Sequence, residues 1–230
     1  MILDELHHLA VGFPPGNAIT SLDQFCEGLL VVFEFLKVHI AARDRGDIAT
    51  LKNLQRMTFG IPPEVEIADS DVKQFRTVIL DSLTDIEDLN MRKILGIDGF
   101  KVGDDFEAPQ FKEFRLNNNI IQAIVRSFRN LNINLIVICG HKWSENELKV
   151  KHYTPWLTGQ LATQIQSFVD LVGYLVVSTA DTTKPDLRRL YIQPQAGIKF
   201  DAKCRRANIK KAYYDDPEME HIMRDFGFIV

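Results

Sequence analysis

The sequence lacks the features that would put it in a membrane, a disulfide framework or a polyanion coat. No apolar run approaches the roughly 18 residues that a membrane helix needs. The longest, GLLVVFEFL at 28–36, is broken by Glu34. The three cysteines, Cys26, Cys139 and Cys204, lie far apart with no C-x-x-C pair, so they read as reduced thiols rather than a disulfide frame or zinc site. The opening MILDELHHLA is acidic, with no basic segment ahead of an apolar one, and no signal peptide is expected. A net charge of −4 excludes a histone-like coat while leaving room for a local basic patch. No internal repeat or low-complexity tract interrupts the chain. Together these absences predict a soluble, cytoplasmic protein with no membrane partner.

What is present is enough apolar material, 46% of 230 residues, for one sizeable core or two small ones. Residues 21–59 read as helical, with Leu22, Phe25, Leu29, Val32 and Phe33 at three- and four-residue spacing. Gly46 divides that stretch into two helices, and GIPPE at 60–64 forms a turn. RTVIL at 76–80 predicts a strand, followed by a helix that Gly96 ends. After a Gly- and Asp-rich loop at 97–110, a long helix spans about 109–130. INLIVICG at 133–140 is apolar throughout, which suits a parallel strand covered on both faces. TGQLATQIQSFVD reads as helix and LVGYLVVST as a third strand; RRLYIQPQ is a fourth, antiparallel to the third. The alternation of strands and helices predicts an α/β fold whose sheet becomes mixed at one edge.

The chemistry begins at FRTVILDSLTDIEDLN, residues 75–90. Four apolar residues run into Asp81 and Ser82. In phosphate-handling α/β folds an Asp at the carboxyl end of a central strand holds a hydrated magnesium ion. A strand also ends on Asp simply to begin a turn, and Ser82 or Thr84 can cap the next helix. The apolar run at 133–140 is followed by His141, a second polar group delivered by a strand, able to sense a γ-phosphate or orient a water. In YTPWLTGQ, Trp156 reads as either a packed loop anchor or part of a functional loop between Pro155 and Gly159. Lys203, Arg205, Arg206, Lys210 and Lys211 form a basic cluster. Such a cluster is a solvated face unless phosphates lie beside it, where it neutralises developing charge. Tyrosines nearby offer faces on which bases stack.

The ordered set VILDSLTDIEDL, IVRSFRNLNINLIVICGHK, PWLTGQLATQIQSFVDLVGYLV, RRLYIQPQ and AKCR resembles the phage RecA-like ATPases. These are P-loop "AAA domain" nucleotide-binding proteins found beside phage recombination and replication genes. The likeness covers about residues 70–230. It implies a RecA-like P-loop NTPase core of mostly parallel sheet flanked by helices, with an antiparallel edge hairpin. It also implies ATP and Mg2+ as cofactors, with Asp81 as the metal-holding acid and Ser82 beside it. His141 would be the sensor, and Lys203 and Arg205 would reach a neighbouring subunit's phosphates. Single-stranded DNA and further copies of the chain, or a complete partner ATPase, would be its partners.

The pattern departs from that family at the phosphate grip. No G-x-x-x-x-G-K-[ST] is present, although its glycines cradle phosphates and its Lys reaches them. The nearest segment is GFPPGNAITSL at 12–22. There Gly16 and Thr20 match, but Ala18 and Ile19 replace the required Gly and Lys. Either this is a decayed P-loop, with Gly16 and Thr20 as remnants of the nucleotide site, or the true P-loop strand lies upstream of Met1. In the second case 1–230 is a single RecA-like domain incomplete at its N-terminal end. That account fits better, because MILDELHHLAV carries two acids and two histidines and makes a poor buried strand. Three functions then compete: a DNA-acting ATPase, a non-catalytic subunit serving a complete ATPase, and an unrelated hydrolase using Asp81 and His141. The absence of G-x-S-x-G ranks the third last.

Overall fold

The computed structural model describes residues 22–97, 108–145, 151–178, 187–195, 199–205 and 209–227. The chain gathers into two compact units, 1–138 and 139–230.

In the first unit, α1 (Leu22–Arg45) and α2 (Ile48–Phe59) meet at Gly46, whose φ of +68° ends the first helix. Asp47 starts the second by accepting from the Thr50 amide at 3.0 Å. Glycine is needed at this corner because L side chains clash in the left-handed region. The two helices then grip the chain entering β1. Gln55 accepts from the Lys73 amide at 2.8 Å and donates to the Asp71 carbonyl at 3.2 Å. His39, 1% exposed, lies against Phe35 and Phe75. Its Nε2 is 3.4 Å from both the Lys73 carbonyl oxygen and the Phe75 amide nitrogen, while its Nδ1 is buried with no protein partner.

β1 (Thr77–Asp81) pairs in parallel with β2 (Asn134–Ile138), from Thr77 opposite Asn134 to Asp81 opposite Ile138. Their connection carries α3 (Leu83–Ile94) and α4 (Phe111–Arg129), both packed on β2 and on each other. A parallel pair needs such a crossover. Leu83, Ile86, Ile121, Val125 and Phe128 form the buried seam, and Asn90 donates to Asn117 within it at 2.6 Å. Arg43, in the last turn of α1, donates to the carbonyls of Phe75 and Asn132, just ahead of both strands. β2 is only half-buried and Ile138 is exposed, against the expectation of cover on both faces. Among the described residues no strand pairs with the second edge of β2.

The second unit is built of short strands in separate small sheets, and here the mostly parallel expectation gives way. β3 (His141–Glu145) and β4 (Lys151–Pro155) form an antiparallel hairpin, and β8 (Lys199–Phe200) joins β4 in parallel. α5 (Leu161–Gln166) is shorter than predicted. The predicted third strand divides into β5 (Leu171–Val172) and β6 (Tyr174–Ser178). At Gly173, between them, a Cβ would lie 2.7 Å from Leu190 Cδ1, so any larger residue there would oblige the Leu190 side chain to move. β6 pairs antiparallel with β7 (Leu187–Tyr191), the expected hairpin, and β7 pairs with β10 (Tyr213–Asp215). β9 (Lys203–Cys204) pairs with β5. α6 (Met219–Asp225) closes a core of Ile192, Ile209, Tyr214, Ile222 and Phe226.

Two stability tests follow from the first unit. Burial holds the His39 imidazole below its ordinary value of 6.5. The folded protein therefore keeps the ring neutral while the unfolded chain protonates first. The stability this gives is complete above the unfolded pKa and is lost as pH falls through the folded one. Thermal melts between about pH 7.5 and 5.5 should show a falling midpoint, and His39→Leu should flatten that fall. Ser82 caps α3, its Oγ accepting from the Asp85 amide at 3.2 Å. Ser82→Ala should cost about 1 kcal/mol in denaturant unfolding.

Candidate functional site

Asp81 is the last residue of β1 and the first exposed one after buried Val78 and Leu80. The strand reaches this end with its apolar side chains consumed by the core, and a carboxylate is tolerated only where solvent begins. The Asp81–Ser82 peptide bond is cis. Ser82 then turns the chain into α3: besides its cap on the Asp85 amide, its hydroxyl donates to the Asp85 carboxylate. The following acids do not converge on Asp81. Asp85 and Asp88 are exposed, Asp88 pairs with Arg92 at 2.7 Å, and Glu87 turns into the buried face of the helix.

Among the described residues no group of three or more His, Cys, Asp or Glu assembles a cation cage. That composition still fits magnesium, which keeps several waters and is held by one or two carboxylates plus a substrate's phosphates. Asp81 offers one such carboxylate. Ser82 is less available, since its hydroxyl already serves Asp85. Gly16 and Thr20, the remaining candidates for the nucleotide, lie outside the described residues.

The other predicted residues fall in the second unit. His141 does not end β2; that strand stops at Ile138, and His141 opens β3. Its ring stands edge-on to Tyr174 at 5.7 Å and tilted to Tyr153 at 5.8 Å. Lys203 and Arg205 do come together, at the C-terminal end of α5. Lys203 Nζ donates to the Gln166 carbonyl and Arg205 to the Ser167 carbonyl, with Asp170 at 4.0 Å from Arg205. The last carbonyls of a helix have no partner of their own, and cations satisfy them well. Burial, helped by the neighbouring Arg205 charge, pushes the Lys203 amine below its usual value. Lys211 pairs with Asp225 at 2.6 Å, Lys210 is exposed, and Arg206 lies outside the described residues. Trp156 is no anchor: it is 59% exposed, and Leu157 beside it is the buried residue.

Sequence reading missed two arrangements. Asp201 accepts from Gln166 at 2.8 Å and lies 2.9 Å from His152 Nε2, which ties β4, α5 and the segment after β8 together. Arg189 makes a forked contact with Asp215 while lying 4.1 Å over the Tyr213 ring, beside Tyr191. The Asp215 carboxylate holds the Arg189 proton more tightly than usual. The period-two placement of Arg189 and Tyr191 was the available signal, but it shows its partner only once β10 is known to lie alongside.

No curated protein and no solved structure gives a significant match to the chain. The model of one family, described as an AAA domain, matches residues 17–206. The match spans the parallel pair, Asp81 and the Lys203–Arg205 segment, and the chain belongs to this family of P-loop, ATPase-type nucleotide-binding domains.

Proposed function

We propose that this protein is a RecA-like, phage-type ATP-binding subunit that acts on single-stranded DNA in recombination or replication in the host cytoplasm. The observation that carries the nucleotide part is Asp81: an exposed carboxylate at the carboxyl end of a parallel strand pair, within the AAA-domain match. Magnesium bound there would neutralise phosphate charge. Asp81 would hold the ion through its carboxylate, and Ser82 fixes the start of α3 directly after it. ATP and Mg2+ are therefore the proposed cofactors, with His141 as the proposed sensor and Lys203 and Arg205 as cations offered to an adjoining copy of the chain. Gly16 and Thr20 are the proposed remnants of the phosphate loop.

A second reading has support of its own. Lys203 and Arg205 are engaged by the carbonyls of Gln166 and Ser167, and the sequence holds no G-x-x-x-x-G-K-[ST]. Both favour a non-catalytic subunit that serves a complete ATPase. Calorimetric titration of the full chain with ATP, with and without magnesium, separates the two. Micromolar, magnesium-dependent binding that disappears in Asp81→Ala is expected for the nucleotide-binding subunit. If the wild-type chain takes up no ATP, that reading fails and the non-catalytic one stands.

A further inference from the structure

The solvent side of α1 carries an aliphatic stripe that the nucleotide reading leaves unused. From Gly28 to Val38 the helix holds two charged residues, Glu34 and Lys37, in an otherwise apolar run. A helix apolar nearly all round is ordinarily covered on every side. The first unit covers one side, where Leu36, His39 and Ile40 are buried. On the opposite side Leu30 is 61% exposed, Val31 67% and Val38 49%. At roughly 100° per residue these three fall within about 60° of Glu34, so they make one stripe rather than scattered positions. The two charges lie on the same stripe, where Lys37 Nζ donates to the Glu34 carboxylate at 2.9 Å.

The stripe is symmetric about Glu34. Leu30 and Val38 lie four residues to either side of it, and Val31 and Lys37 three. A twofold contact between identical chains needs this property, because it sets residue i on j and j on i. With two α1 helices antiparallel and the axis passing through Glu34, Leu30 of each copy meets Val38 of the other. Each Val31 meets the aliphatic stem of the other copy's Lys37. The two Glu34 carboxylates then sit between the two Lys37 amines, four charges of alternating sign. Each ion pair is kept, and each carboxylate gains a second cation. While it faces water such a pair contributes little; between two copies it fixes the register of the contact. A dissimilar partner would need no symmetry in the stripe. The contact occupies one helix face per copy, which makes the dimer a weak, concentration-dependent one.

We propose that this stripe is a self-association surface, on which α1 packs antiparallel against α1 of a second copy of the chain about a twofold axis at Glu34. The contact involves none of the residues of the nucleotide reading and should form without ATP. The test is sedimentation velocity of the full chain over a wide range of concentration. Wild-type protein should pass from monomer to dimer, and Leu30→Asp and Val38→Asp should each weaken the dimer roughly tenfold or more. Lys37→Glu brings four carboxylates together at the axis and should abolish the dimer. The double exchange Glu34→Lys with Lys37→Glu restores alternating charge and should restore it. Met57→Asp, at a residue 81% exposed on α2, should change nothing. Unaltered helix content and melting curves for the variants would exclude unfolding as the cause. A wild-type chain that stays monomeric at every concentration overturns the proposal and leaves the stripe to a different protein. So does a dimer that Leu30→Asp and Val38→Asp leave intact, which would place the contact elsewhere. A double exchange that stays as monomeric as Lys37→Glu would remove the twofold axis at Glu34.

Discussion

Everything in the first unit depends on one pairing, the parallel ladder that sets Asp81 level with Ile138. Side chains alternate across a strand, so a slip of one residue would send Val78 and Leu80 to the face now held by Thr77 and Ile79. Three groups outside the ladder guard its register. Arg43 binds the carbonyls ahead of both strands, Gln55 holds the chain entering β1, and the α3–α4 seam fixes the length of the crossover. Asp81 reaches solvent as the outcome of these constraints, since the same alternation that buries Leu80 exposes its neighbour.

The second unit solves a different problem. Its strands run from two to five residues, too short to be stable as isolated pairs. They persist through side chains that tie one small sheet to the next: the aromatic contacts of Phe200, the Asp201 bridge to His152 and Gln166, and the core closed by α6. The C-terminal segment is part of this solution. Tyr214 donates to Asp225 at 2.9 Å, and burial together with that contact pushes its hydroxyl well above the usual tyrosine range.

How much of this was legible in the sequence follows from where local rules decide the outcome. The break at Gly46, the strand ending at Asp81, the helix stopped by Gly96 and the long α4 all follow from apolar spacing and glycine, and all are found. The β6–β7 hairpin was legible for the same reason. The position of His141 was not, because a continuous apolar run says nothing about where the next strand begins. Nor was the engagement of Lys203 and Arg205, since their partners are backbone carbonyls some forty residues earlier in the chain, which composition does not reveal. Trp156 reverses the ordinary ranking of size and burial, with the smaller Leu157 taking the interior. The phosphate-side candidates Gly16 and Thr20 lie outside the described residues.

The bonds of Lys203 and Arg205 to the end of α5 carry a consequence for any anion that approaches them. A cation already serving carbonyl acceptors reaches a phosphate only by sharing or leaving them, and α5 is a single six-residue helix with little cooperativity to spare. Anion binding at these two residues and order in the last turn of α5 are thus linked equilibria of opposite sign. A ligand that recruits the cations loosens the helix, and whatever firms the helix weakens the ligand by the same factor.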